Sequence, residues 1–168
     1  MKRAFIIVSI VGLLVTAATA LAGGSGVVAS ANGDYGFSGE AAGSTFVIGP
    51  FTWNVQVKAD GSVKGQFDYT QVRDGVALSA SGPLTCAFIE DDRVWVGGVI
   101  EASSRPSLVG LDMWFQARDE GEGANASPDM SSTLGAAAAP AGQQYCDDHP
   151  PVRFPFLVGE GNVQVRSD

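Results

Sequence analysis

One histidine, two cysteines and a low share of charge set the limits of this chain: Asp, Glu, Lys and Arg make up 17% of its 168 residues. Each shortage removes a class of chemistry. A single histidine, His149, leaves no H-x-H or H-E-x-x-H metal motif. Cys86 and Cys146 lie far apart and outside any C-x-x-C, the spacing that zinc sites use. No G-x-S-x-G elbow and no phosphate loop occur. Basic residues are scarce as well, 10 against 18 acidic, for a net charge of −8. Such a surface repels phosphate backbones and anionic lipid, so neither nucleic acid nor a membrane surface is expected as a partner.

What is present begins with an export signal. Met1, Lys2 and Arg3 form a positive start, residues 4–15 are apolar and uncharged, and Ala18-Thr19-Ala20 or Ala20-Leu21-Ala22 fits the small-x-small cleavage rule. The expected organisation is therefore a signal peptide at 1–22 and one all-β domain at 23–168. Losing Lys2 and Arg3 leaves 8 basic and 18 acidic residues, a net charge of −10. The expected location is secreted, periplasmic or extracellular, with no membrane attachment after cleavage. In that compartment Cys86 and Cys146 are expected to pair.

After the signal no window keeps a helical period. Short runs of Val, Thr and aromatics, broken by Gly, Asp and Pro, read as strands. Phe51, Trp53, Val55 and Val57 alternate with polar residues, and so do Val63, Gly65, Phe67 and Tyr69. Parity then requires a three-residue loop, Ala59-Asp60-Gly61, that sets Val57 against Val63 and Trp53 against Phe67. A second hairpin turns on Asp91-Asp92 and sets Phe88 against Trp95. Its strands are apolar on both faces. Alternation puts Leu84, Cys86, Phe88, Trp95 and Val99 on one face and Ala87, Ile89, Val94, Val96 and Ile100 on the other. A doubly apolar hairpin needs a second cover, from the later loop or from a partner chain. Further strands are expected at 30–38, 44–48, 75–81, 107–118, 152–158 and 161–166, with an irregular loop at 119–151. About eight strands linked by hairpins imply a closed antiparallel barrel or, alternatively, a β-sandwich. Closure would pair Val163-Gln164-Val165 with the strand that starts near Ser30.

The run Leu84-Thr85-Cys86-Ala87-Phe88, the turn that follows it, and Val94-Trp95-Val96-Gly97-Gly98-Val99-Ile100 resemble a motif of uncharacterised secreted bacterial β-barrel-like proteins. In those, a V-T-C-L strand leads through a D-G-N turn into an apolar strand with G-G. The stretch Phe115-Gln116-Ala117-Arg118-Asp119-Glu120-Gly121-Glu122-Gly123 is similar to their loop of D-N-G-E-G type. The chain departs from the pattern at Asp91-Asp92 and at Glu120. The resemblance implies export and a β-fold and brings no activity with it.

Three constellations could carry chemistry. Asp119, Glu120 and Glu122 alternate with glycine near Asp129 and offer oxygen ligands to calcium, the one cofactor considered. His149 stands beside Asp147 and Asp148, before Pro150 and Pro151, as a general base or a ligand. The aromatics Phe51, Trp53, Phe67, Tyr69 and Trp95 either fill a barrel or wall a pocket for a small apolar ligand. The acids are scattered, which favours a non-catalytic binding or structural module. The alternative is a metal-assisted hydrolase using the acidic loop, Asp119 and Glu122 in particular, with His149.

Overall fold

The structure is a computed structural model that describes residues 26–41, 43–123, 125–151 and 156–167. The signal peptide expected at 1–22 and most of the strand expected at 152–158 lie outside those residues. Four long strands open the chain: β1 (Val27–Ala41), β2 (Ser44–Lys58), β3 (Val63–Arg73) and β4 (Val76–Glu90). β5 (Arg93–Val99), β6 (Ala102–Ser103), β7 (Asp112–Arg118), β8 (Met130–Ser131) and β9 (Gly135–Ala137) follow. After helix α1 (Ala141–Asp148) come β10 (Phe156–Leu157) and β11 (Glu160–Ser167). The expected strand at 107–118 starts only at Asp112. Pro106 opens a short 3-10 turn instead, where its missing N–H costs nothing.

Both hairpins have the register that parity demanded. Trp53 faces Phe67 and Val57 faces Val63, and Gly61 takes a φ of 80°. Asp60 steadies the loop by accepting the Ser62 N–H at 2.9 Å. In the second hairpin Phe88 faces Trp95 and Glu90 faces Arg93, with Asp91 at φ 52°. Bulges interrupt β1–β2 near Tyr35 and β2–β3 near Ile48, and in the second hairpin simple alternation fails at one place. Leu84 pairs with Gly98 while Cys86 pairs with Gly97, so a bulge inserts one residue. Leu84 therefore joins Val94, Val96 and Ile100 in the core, while Cys86 turns to the outer face beside Trp95.

The strands form one curled antiparallel sheet in the order β10-β8-β7-β5-β4-β3-β2-β1-β11, with β6 added to β4 and β9 to β7. The expected closed barrel of about eight strands is corrected to an open half-barrel. Its curl is what the barrel and sandwich readings share. The last strand does pair with the first, Val165 against Ala31 and Val163 against Gly33. Among the described residues no ladder joins β11 to β7 or β8. The reason lies in residues 119–123 and 125–129, which form no strand beside β11 and carry side chains, not strand backbone, to the gap.

Those side chains bridge the seam. Asp129 accepts the Val163 N–H at 2.7 Å and the Glu120 N–H at 2.9 Å, and is itself only 6% exposed. Asp119 accepts the Val165 N–H at 3.0 Å and the Gly121 N–H at 2.8 Å. Alternate N–H groups of β11 thus meet carboxylate oxygens where a neighbouring strand would offer carbonyls, and such charge-assisted bonds are the stronger kind.

The region expected to be irregular, 119–151, contains β8, β9 and α1. The helix covers the outer face of the second hairpin, so the later loop is the second cover. Cys146 is bonded to Cys86, with Cα atoms 6.2 Å apart. Gly97 permits the close approach: a Cβ there would sit 2.5 Å from the Gly142 carbonyl oxygen and 2.6 Å from Cys86 Sγ. Asp112 on β7 accepts the Gly142 N–H at 3.0 Å and so satisfies one of the helix's first donors.

Candidate functional site

The aromatic set divides between the two faces of the sheet. Trp53, Phe67 and Tyr69 are core residues, each 2–3% exposed. Phe115 wedges between Phe51 and Trp53, with ring centroids 4.8 and 5.1 Å away. The polar atoms in this core are paired in a relay. Trp53 Nε1 donates to Tyr35 Oη at 3.1 Å, and Tyr35 lies 2.6 Å from Ser131 Oγ, which donates to the Ser132 carbonyl. Burial raises the phenols of Tyr35 and Tyr69 well above the ordinary tyrosine range. Trp95 sits on the outer face, where its Nε1 donates to the Pro150 carbonyl at 2.9 Å.

The acidic loop belongs to the seam. Asp119 and Asp129 hold backbone N–H groups, Glu120 pairs with Arg118 Nε at 3.0 Å, and Glu122 accepts from the Asn162 amide at 2.9 Å. His149 lies elsewhere, stacked on Phe88 with ring centroids 3.4 Å apart, in the left-handed conformation that ends α1. Among the described residues no three His, Cys, Asp or Glu side chains gather as a metal-ligand set. Asp119, Glu122 and His149 are therefore not brought together.

A different arrangement lies on the outer face of β7. Strand alternation sends Met113, Phe115 and Ala117 into the core and leaves Trp114, Gln116 and Arg118 outside. Between that face and the end of α1 runs a groove of about 390 Å3, walled by Trp114, Tyr145, Ser132, Thr133, Pro150 and Pro151, with Gln116 also in its lining. Beyond Gln116 and Pro151 it adjoins a smaller depression of about 240 Å3 near Arg93 and Arg118. Two larger depressions, about 760 and 670 Å3, lie over the β1–β2 bulges and the polar outer face of β1 to β4. The aromatic residues lining those two are buried core residues, whereas Trp114 is half-buried and presents its indole at the surface.

Each wall of the groove has a local cause. The Trp114 indole lies over Gly135, its cross-strand partner, where a Cβ would stand 2.5 Å from the ring. Tyr145 comes from α1, with its ring centroid 6.0 Å from that of Trp114. Gln116, 4% exposed, gives its amide N–H to Tyr145 Oη at 2.8 Å and also points it at the Pro150 carbonyl. Burial pushes the Tyr145 phenol up to about 12, and the Gln116 amide at its oxygen pulls the other way. Ser132 Oγ is occupied, accepting from the Gln116 N–H and donating to the Thr133 carbonyl. Among the described residues nothing donates to Gln116 Oε1 and nothing accepts from Trp114 Nε1. Among the described residues no buried side-chain polar atom lacks a partner, so both atoms keep contact with solvent.

Sequence reasoning passed over Trp114, Gln116 and Tyr145. The period-two pattern of Asp112–Arg118 does contain the signal: with Met113 and Phe115 inward, Trp114 must face out. Comparison with protein-family models, with curated proteins and with solved structures finds no match.

Proposed function

We propose that this chain is an exported, non-catalytic binding module whose ligand site is the groove on the outer face of β7. The observation that carries the reading is Gln116. A nearly buried amide is held by Tyr145 and Pro150, and its carbonyl oxygen is left for something outside the protein. The location is secreted, periplasmic or extracellular. The disulfide supports it, because such bonds persist in oxidising compartments. Among the described residues no helix is long and apolar enough to cross a membrane. The carboxylates of the acidic loop support binding over hydrolysis, since they are engaged by N–H groups of β11.

NMR of the oxidised protein tests this. The chain has three tryptophans, hence three indole N–H signals. A mixture of small aromatic and polyol fragments should move the Trp114 signal first and leave that of buried Trp53 in place. Movement confined to Trp53, or hydrolysis of chromogenic esters or phosphates that needs calcium or zinc, Asp119 and His149, would overturn the reading.

A further inference from the structure

Three residues that line the groove carry side-chain polar atoms with no partner among the described residues, and these differ in kind. Trp114 Nε1 is a donor, Gln116 Oε1 is an acceptor, and Thr133 Oγ1, which has no partner among the described residues, is both. They sit beside a half-buried indole. Trp114 and Gln116 are two residues apart on one strand, so their Cα atoms are about 7 Å apart. A ligand for this site needs an apolar face for the indole and hydroxyls that both donate and accept.

Charge narrows the class. Arg118, the cation nearest the far end, is clamped by Asp92 at 2.8 Å and Glu120 at 3.0 Å. Arg93 lies beside the same Asp92. The chain as a whole carries −8. The groove therefore has no surplus positive charge with which to hold an anion. A proline-rich peptide would suit the indole and the two prolines. Its proline residues bring carbonyl oxygens but no N–H, so Gln116 Oε1 would be covered without a donor, which is costly.

We infer that the groove takes a neutral saccharide, with one ring face on Trp114 and hydroxyls on Trp114 Nε1, Gln116 Oε1 and Thr133 Oγ1. This rests on the groove-binding reading above. The C–H face of a sugar ring matches the indole, and adjacent hydroxyls match the donor, the acceptor and the two-way group.

The test follows the Trp114 indole signal while oxidised protein is titrated with cellohexaose, laminarihexaose, chitohexaose, hexagalacturonate and decaproline. At least one of the three neutral oligosaccharides should shift it saturably. Thr133→Val, which keeps the side-chain shape, should weaken that binding about tenfold, and Trp114→Ala, read by calorimetry because it removes the indole signal, should abolish it. Neutral sugar binding that Thr133→Val leaves unchanged would overturn this seating. A Trp114 shift with decaproline or hexagalacturonate alone would overturn the saccharide class and keep the groove. Silence to all five probes, with the fragment mixture still moving Trp114, would do the same. Silence to the fragments as well would remove both readings.

Discussion

The sheet from β1 to β5 and the seam between β7, β8 and β11 are held by different chemistry. In the first, long hairpins run backbone ladders broken only by single bulges, and between bulges the side chains need only alternate. In the second, carboxylates of Asp119 and Asp129 reach across to β11 in place of a strand. Two aspartates make the contrast plain. Asp60 and Asp129 each accept a backbone N–H, one in an exposed hairpin turn and one almost fully buried. The bond is alike and its consequence is not. An N–H freed in the turn finds water, whereas the Val163 N–H freed in the seam does not. The region around the seam also carries the helix, the disulfide and the groove, so long-range bonds hold in place the surface on which a ligand would act.

The largest effect should come from the bond that anchors that surface. Cys146→Ser opens a loop closed over 60 residues and should cost about 4 kcal/mol on the chain-entropy model. The variant should bind more of a hydrophobic dye and be cut by protease within residues 119–150, while the β2–β3 hairpin stays resistant. An unchanged dye signal and cleavage pattern would show that α1 holds its place without the bond.

Asp129→Ala comes next. It strips two charge-assisted bonds, one from a buried N–H, and should lower stability by about 3 kcal/mol in urea unfolding. Amide exchange should quicken along β11 before it quickens along β3. Uniform exchange across both strands would mean the seam is no weaker than the ladder.

Alkaline titration separates the regions more finely. All three tyrosines are raised by burial. A folded-state value above the unfolded one means that the stabilising effect is complete below pH 10 and lost as pH climbs through the folded value. Tyr145, beside the groove, should ionise first, near 12, as read from phenolate absorbance. Tyr35 and Tyr69 should ionise only as the core unfolds. A single early step for all three would mean that the core is open to solvent.

The smallest effect is the control. Asp60→Ala removes an exposed turn acceptor and should leave the thermal midpoint nearly unchanged. A loss comparable to that of Asp129→Ala would erase the distinction between turn and seam.

Several features were legible because they are local. Period two and a Gly at the turn set the β2–β3 register, since a one-residue slip would put Trp53 and Phe67 on opposite faces of the sheet. The need for a cover over the second hairpin followed from apolar residues on both its faces. The bulge that parts Leu84 from Cys86 was not legible, because nothing between them marks an extra residue. The helix Ala141–Asp148 was hidden too. It is short and weakly amphipathic, and it is held by Asp112 and Cys86 from distant strands.

The sequence by itself determined an all-β chain, two hairpin registers and a cysteine pair, because alternation, turn residues and cysteine count act over a few residues or by simple elimination. Only the tertiary structure decided that the sheet stays open, that Asp119 and Asp129 serve the seam, and that Trp114, Gln116 and Tyr145 share a groove. Those outcomes depend on which N–H groups are left without a strand once the sheet has curled, and that is set by residues 29 to 46 positions apart.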